Sequence, residues 1–154
     1  MDVFTCAFFG HRDFCGYFEC EKRLTETIKE LILEKEYVVF LVGREGEFDK
    51  FVASMVRKVK KEYFSDNSSL VWVMPYLKAD YKNNEEEYDC YYDEIEICDK
   101  SQSVHFKSAI KIRNYEMINR ADLIICYVEH QTGNTFKTVE YAKKQGKNVV
   151  NLYK

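Results

Sequence analysis

The sequence predicts an α/β fold, a Rossmann-like three-layer sandwich with a mainly parallel five-stranded sheet. Continuous apolar runs rich in β-branched residues alternate with stretches of helical periodicity along almost the whole chain. Such strands are typical of a parallel sheet that helices cover on both faces. The 154 residues contain neither an internal repeat nor a linker. We therefore expect one domain over residues 1–154.

Each predicted element follows from its apolar pattern. The strands are the runs VFTCAFF at 3–9, YVVFLV at 37–42, LVWVMPY at 70–76, LIICYV at 123–128 and NVVNLY at 148–153. Apolar residues recur at helical spacing at about 19–35, 48–59, 104–120 and 134–145. A short helix is also expected within 85–97, inside an acidic and tyrosine-rich connection.

The formal net charge of −3 is unevenly distributed. Residues 85–99 carry eight acids and no Lys or Arg, which leaves +5 on the remainder. A mildly basic body suits a phosphate-bearing small molecule and is too weakly basic to predict a nucleic-acid surface. We interpret 85–99 as a solvated lid or sheet edge, with a protein-binding segment as the alternative.

The six cysteines form no C-x-x-C pair, and two of them lie inside strand-like runs. This pattern predicts core thiols in a reducing compartment, and neither disulfides nor a zinc site. His105 and His130 have no companions at metal-ligand spacing. With no signal peptide or bilayer-length apolar run in view, we expect a cytoplasmic protein with no cofactor, metal, nucleic acid or membrane partner.

Three loops that follow predicted strands have the residue types of an anion site. They are Gly10-His11-Arg12, the segment GREGEFD at 43–49, and Gly133-Asn134-Thr135 at the start of the last helix. Each has an ordinary reading as a turn or a helix cap. Because the carboxyl ends of parallel strands meet at one edge, the loops are expected to converge, with backbone amides and Arg12 facing a phosphate.

Arg113 lies on the apolar stripe of its helix, between Ile110 and Met117. A guanidinium on an inward face needs a partner, which would be a structural acid such as Asp122 or an anionic ligand. We favour the ligand, with Asn114 at the same end, and interpret Asp122 as structural because it precedes a strand.

These motifs resemble the SLOG superfamily of Rossmann-like proteins, related to the LONELY GUY and DNA-processing proteins, and are closest to its YpsA-like branch. The resemblance runs from FFGHR through G-x-x-G-x-FD and VMPY to RNYEMINRADLIICYV and TGNTFKTVEYAKKQGK. It implies a strand-end cleft for nucleotides or nucleotide-derived ligands, and a homodimer or higher homo-oligomer. Some relatives cleave the N-glycosidic bond of nucleoside monophosphates, and others are sensors, including antiphage domains that respond to cyclic ADP-ribose signals.

From the residues and the resemblance together, fourteen positions are predicted to bind the ligand: Gly10, His11, Arg12, Gly43, Arg44, Gly46, Phe48, Asp49, Arg113, Asn114, Met117, Gly133, Asn134 and Thr135. The phosphoribohydrolase motif P-G-G-x-G-T-x-x-E would place its catalytic Glu where this chain has Thr138. Glu140 lies about 200° around the helix from that position.

We therefore expect a sensor or sequestering protein for a nucleotide-derived, phosphate-bearing molecule, of ADP-ribose or cyclic nucleotide type, without catalysis. The alternatives are a nucleotide N-glycosidase that uses Arg113 with Asp49 or Glu45, and an interaction module that uses 85–99.

Overall fold

The computed structural model describes residues 1–153 and contains six strands alternating with helices. The strands are β1 Val3–Gly10, β2 Tyr37–Val42, β3 Ser68–Met74, β4 Glu94–Ile97, β5 Leu123–Tyr127 and β6 Asn148–Asn151. The helices are α1 Tyr17–Glu34, α2 Glu47–Glu62, α3 Ala79–Asn83, α4 Glu85–Tyr91, α5 Phe106–Arg120 and α6 Asn134–Lys144.

The strands form one parallel sheet in the order β4-β3-β2-β1-β5-β6. The chain moves outward from β1 to β4 on one side and then returns to place β5 and β6 on the other. The order therefore reverses at β1, and the carboxyl ends of the strands beside it form the crevice where α/β proteins bind ligands. The predicted α/β, Rossmann-like sandwich is confirmed.

The two faces of the sheet form two separate apolar layers. Cys6 and Phe8 of β1 point into the layer beneath α1 and α2, whereas Ala7 and Phe9 point into the layer that includes α5 and α6. This alternation follows from the two-residue period of a strand. Both faces are buried, which explains why β1, β2, β3 and β5 appear in the sequence as continuous apolar runs.

The sheet has six strands where five were predicted, and the additional strand is β4 in the acidic segment. The expected helix at 85–97 ends at Tyr91, and the chain then pairs with the outer edge of β3. Ile95 and Ile97 pack against the core, while Glu96 forms an ion pair with Arg120, with 2.8 Å between Oε1 and Nη1. Alternating charges are common on edge strands because they hinder pairing between molecules.

Two features of the acidic segment tie it to the body of the protein. The Asp93 carboxylate accepts hydrogen bonds from the Leu70 amide at 2.7 Å and from Lys60 Nζ at 2.6 Å. Tyr92 is buried and packs on Trp72. Part of 85–99 is therefore an edge strand of the sheet, which was not predicted. Within residues 1–153, no helix has the length and apolar character needed to span a membrane.

Candidate functional site

A cleft of about 510 Å³ lies at the carboxyl edge of the sheet. Its walls come from the end of β1, the loops after β1 and β2, helix α5 and the first turns of α6. The lining residues are Phe8, Phe9, Gly10, Arg12, Gly43, Glu45, Gly46, Asp49, Lys107, Ile110, Lys111, Arg113, Asn114, Tyr115, Asn134, Thr135, Lys137 and Thr138.

The structure brings most of the predicted site residues together in this cleft. Nine of the fourteen positions predicted to bind the ligand line it, as does Glu45, which was singled out as an alternative catalytic acid. These nine are Gly10, Arg12, Gly43, Gly46, Asp49, Arg113, Asn114, Asn134 and Thr135. The three loops after β1, β2 and β5 thus converge, because parallel strands end at the same edge of the sheet.

Two of the predicted cation-capable side chains turn away from the cleft. Arg44 lies over the Tyr88 ring, 4.8 Å from its centroid, and donates a hydrogen bond from Nη1 to the Tyr92 hydroxyl at 3.1 Å. His11 accepts a hydrogen bond at Nε2 from the Glu129 amide at 3.0 Å. Arg44 therefore adds no cation to the edge of the cleft, because Tyr88 and Tyr92 hold its guanidinium.

Three other predicted residues do not line the cleft and contribute to the surrounding structure instead. Phe48 and Met117 are completely buried, in the layers on opposite faces of the sheet. Gly133 adopts a φ of +95° at the N-cap of α6, a conformation that favours glycine. It shapes the start of the helix but does not line the cleft.

The loops after β1 and β2 pack backbone to backbone. A Cβ atom on Gly46 would lie 2.4 Å from Arg12 Cα, so only glycine permits this approach. The Glu47 amide donates a hydrogen bond to the Arg12 carbonyl at 2.9 Å. Thr135 joins the third loop to this pair by donating from Oγ1 to the Gly10 carbonyl at 3.0 Å. These contacts fix the three loops relative to one another around the cleft.

Arg113 forms the floor of the cleft and is 1% exposed. Its Nη1 donates to the Val73 carbonyl at 2.7 Å and lies 3.6 Å from Glu45 Oε2, while Nε donates to Asn114 Oδ1 at 2.9 Å. Burial lowers the pKa of the guanidinium, and the neighbouring Glu45 carboxylate opposes that shift. Lys78 Nζ holds both oxygens of Glu45 at 2.9 Å.

The acid that faces Arg113 is therefore Glu45, and not Asp122. The Asp122 carboxylate accepts a hydrogen bond from the Thr5 amide at 2.9 Å, at the opposite end of the sheet. Its interpretation as structural agrees with this position. Glu45 was assigned only as an alternative catalytic acid, because sequence spacing gave no sign that β2 and α5 would bring it to Arg113.

Asp49 lies on the cleft wall, in the first turn of α2. Its Oδ2 accepts a hydrogen bond from the Glu45 amide at 3.1 Å. Burial raises the pKa of Asp49 to about 6, against the lowering effects of that hydrogen bond and of Arg113 and Arg12. The native protein therefore holds a proton on Asp49 more tightly than an unfolded chain does.

Asp49→Asn is expected to stabilise the protein at pH 8 and to leave its stability unchanged below about pH 4. Ionising Asp49 costs more free energy in the native state than in the unfolded state. The wild-type protein therefore loses stability relative to Asp49→Asn as pH rises from about 4 to about 6, and the difference persists at higher pH. Melting temperatures of both proteins from pH 4 to pH 8 measure the difference. Glu47→Gln, at an exposed position in the same turn, is the control. A pH-independent gain for Asp49→Asn would contradict the assignment.

Four exposed cations border the cleft: Arg12 from the loop after β1, Lys107 and Lys111 from α5, and Lys137 from α6. Within residues 1–153, none of their side chains has a carboxylate partner. With Arg113, the lining therefore has five cations against the two carboxylates of Glu45 and Asp49. A concave surface of this charge attracts anions.

The three lysines were not predicted as site residues. Lys107, Lys111 and Asn114 share one helical face at spacings of four and three residues, and this periodicity is visible in the sequence. Surface helices commonly have lysines at such spacings, so the spacing alone did not show whether these lysines face a cleft or open solvent. Thr138 also lines the cleft and donates its hydroxyl hydrogen bond to the Asn134 carbonyl at 2.9 Å.

Within the part of the chain that the structure describes, no group of three His, Cys, Asp or Glu side chains is arranged to hold a metal ion.

The comparisons with known proteins gave similarity to solved structures alone, since no protein-family model and no curated protein matches the chain. DNA processing protein A from Streptococcus pneumoniae has a TM-score of 0.62 at 14% identity, covering 96% of this chain and 49% of that one. The Helicobacter pylori DNA processing protein A, described as binding single-stranded DNA, has a TM-score of 0.66 at 14% identity, with 95% and 63% covered.

A third structure, the structural-genomics target TM1055, has a TM-score of 0.58 at 15% identity, with 95% of this chain and 72% of that chain covered. The chain spans 49% and 63% of the lengths of the two DNA processing protein A chains. At these identities the likeness shows the fold, and membership of the YpsA-like branch stays a prediction. The chain has the Rossmann-like fold that these solved structures share, and membership of the SLOG superfamily likewise stays a prediction.

Proposed function

We propose that the cleft binds a nucleotide-derived, phosphate-bearing small molecule, and that the protein is a sensor or sequestering protein without catalysis. The observation that supports this most is a cleft of about 510 Å³ bordered by four cations that have no carboxylate partner among residues 1–153. That volume falls within the range of about 300–1,000 Å³ that is usual for small-molecule sites. An ADP-ribose-type molecule has the size and charge to fill it.

The cations approach the cleft from three elements, so a ligand with two phosphates can contact several of them at once. Arg12 offers a forked guanidinium, and the lysines offer point charges. The first turn of α6, at Asn134 and Thr135, adds backbone amides at a helix N-terminus, which favour an anion.

None of the α6 residues that line the cleft has a carboxylate, which supports binding without hydrolysis. Thr138 lines the cleft and donates its hydroxyl hydrogen bond to the Asn134 carbonyl, and the resemblance aligns it with the Glu of the phosphoribohydrolase motif. Glu140 forms an ion pair with Lys143 at 3.4 Å and does not line the cleft. The enzyme alternative depends on Asp49 or Glu45 with Arg113.

Chromatography for free base after incubation with nucleoside monophosphates and NAD separates binding from catalysis. We expect no base above a no-protein control. Base release that Asp49→Asn abolishes would contradict a binding-only function and favour the N-glycosidase.

A second candidate function is binding of single-stranded DNA. The structural likeness to the Helicobacter pylori protein favours it and stands against our expectation of no nucleic-acid partner. The four exposed cations that border the cleft could contact the phosphates of either ligand. The salt dependence of the affinity distinguishes the two ligands, because DNA binding releases several counterions.

Replacing Lys107, Lys111 and Lys137 together by Ala is expected to weaken ADP-ribose binding on the order of 100-fold, since each charged contact contributes about 1 kcal/mol or more. Titration calorimetry at two salt concentrations, with ADP-ribose and with an oligothymidylate, measures this. Lys22, Lys61 and Lys144, exposed and outside the cleft, provide a charge-matched triple Ala control.

Equal affinity in the two triple variants would contradict the proposed site. Tighter binding of the oligothymidylate, with a steep loss at higher salt, would favour the DNA candidate over the small molecule.

The cytoplasmic location, the homodimer and a partner of the acidic segment stay predictions. All six cysteines carry free thiols, which suits a reducing compartment such as the cytoplasm. Phe18 and Phe64 are almost fully exposed apolar side chains and suit a homodimer, which light scattering tests. A partner of the acidic segment would meet the exposed Glu85, Glu86 and Glu87, which lie in α4 and outside β4. Changing these three residues to Gln is expected to abolish binding of such a partner.

A further inference from the structure

Asp49 lies in the part of the cleft where two arginines would attract a phosphate. A Cβ atom on Gly46 would lie 2.4 Å from Arg12 Cα, so the loop that holds Arg12 packs directly against the start of α2. The positive charges of Arg113 and Arg12 both act on the Asp49 carboxyl. A phosphate group that these arginines bind therefore comes close to an acidic side chain.

One oxygen of the Asp49 carboxyl is free to hold a proton. Oδ2 accepts a hydrogen bond from the Glu45 amide at 3.1 Å, whereas within residues 1–153 no group donates to Oδ1. Protonation of Oδ1 therefore breaks no hydrogen bond of the protein. Glu45, the other acid of the cleft lining, differs because Lys78 donates to both of its oxygens at 2.9 Å.

The titratable and charged groups that face Asp49 come from four parts of the chain. They are Arg12 in the loop after β1, Glu45 in the loop after β2, Tyr92 at the end of α4, and Arg113 on α5. Burial raises the pKa of Tyr92 to about 12, so its hydroxyl is neutral at pH 7. Because burial also raises the pKa of Asp49 to about 6, this carboxyl is mostly ionised at pH 7 and close to taking up a proton.

A bound phosphate shifts this balance towards the neutral carboxyl. At an effective dielectric constant of about 20, one negative charge within about 7 Å disfavours the ionised form by more than about ten-fold. The neutral carboxyl also has an O–H that can donate a hydrogen bond to a phosphate oxygen, which an ionised carboxylate cannot do. Phosphate binding and protonation of Asp49 therefore favour each other.

We propose that the cleft takes up a proton from solvent at Asp49 Oδ1 when it binds a phosphate-bearing ligand, so that its affinity falls as pH rises. The inference rests on the proposed function and adds its regulation by pH. Below about pH 5, Asp49 is protonated with or without ligand, and the affinity is constant. Above about pH 6 the free protein ionises first, and the affinity falls by up to about ten-fold per pH unit until the complex ionises as well.

Titration calorimetry with ADP-ribose, in two buffers of different ionisation enthalpy, counts the protons that binding takes up. ADP-ribose suits this test because neither its phosphates nor its adenine titrates near neutral pH, so any proton is taken up by the protein. We expect more than about half a proton per site at pH 7 and almost none at pH 5. The affinity should be at least about ten-fold weaker at pH 8 than at pH 5.

Three variants assign the proton. Asp49→Asn should take up almost no proton at pH 7 and should bind ADP-ribose more tightly than wild-type protein at pH 8. Glu47→Gln, which removes an exposed acid from the same turn, should keep the wild-type proton uptake. His11→Gln, which removes the histidine next to Arg12 in the sequence, should keep it as well.

Binding of ADP-ribose with no proton uptake at pH 7 would overturn the inference and leave the proposed function in place. Proton uptake that survives in Asp49→Asn, or that disappears in His11→Gln, would overturn the assignment to Asp49. Failure of ADP-ribose to bind at any pH would overturn the proposed function, and the inference with it. If Asp49→Asn does not fold, a carbon-detected NMR titration of the Asp49 carboxyl in wild-type protein, with and without ADP-ribose, decides the assignment.

Discussion

Replacing Arg113 by Met is expected to lower the free energy of unfolding by about 3 kcal/mol, because it breaks a buried ion pair from one side. Arg113 is 1% exposed, and loss of its guanidinium leaves the Val73 carbonyl without its donor and Glu45 with Lys78 alone. Urea unfolding monitored by circular dichroism measures the change.

The matched control is Arg120→Met, which breaks the more exposed pair between Arg120 and Glu96. Exposed ion pairs contribute about 0–1 kcal/mol, so this variant should lose much less stability. Adding Glu45→Gln to Arg113→Met should cost less than the two single changes together, because both single changes remove the same Arg113–Glu45 interaction. Equal losses in the two Met variants would contradict the buried role of Arg113.

Gly10→Ala is expected to destabilise the protein by about 3 kcal/mol, the upper end of the usual cost of overpacking. A Cβ atom at this position would lie 2.2 Å from Cγ of Phe48, whose ring is completely buried. The ring has little room to move, since it packs edge to face on Phe14 with 5.2 Å between centroids. Thermal and urea unfolding measure the loss.

Phe48→Leu serves as the partner in a double-mutant cycle with Gly10→Ala. Leu is smaller than the ring and makes space for the added methyl group, so the double variant should lose less stability than the sum of the single losses. Strict additivity would show that the methyl group does not meet Phe48. The same contact explains why β1 ends in glycine where it enters the cleft.

Four of the five predicted strands, β1, β2, β3 and β5, are buried on both faces, and the fifth is the edge strand β6. In β1, β2, β3 and β5, tertiary burial and local apolar composition agree, and the runs were therefore visible. The edge strand β4 was missed because only Ile95 and Ile97 face the core, while the intervening acids face outward. Acids and tyrosines of the preceding turn have helical periodicity, and they obscured where α4 ends.

The lining of the cleft was predicted where the backbone position of a residue decides it, and missed where a residue distant in the sequence decides it. Gly10, Gly43 and Gly46 follow strands, so the parallel topology alone brings them together. Arg44 follows β2 as well, yet its side chain is held by Tyr92, which is 48 residues later in the sequence. The residues around Arg44 in the sequence give no sign of this hydrogen bond. It also gave no reason to select Lys107 and Lys111 over other exposed lysines.

Native mass spectrometry of the protein purified from cells tests the central claim most directly. The account predicts an adduct of nucleotide mass on the wild-type chain, absent from the Lys107, Lys111 and Lys137 triple Ala variant and retained by the control triple. The same spectrum gives the subunit count. Wild-type protein that carries no adduct, and that gains none when ADP-ribose is added, would contradict the proposed cleft.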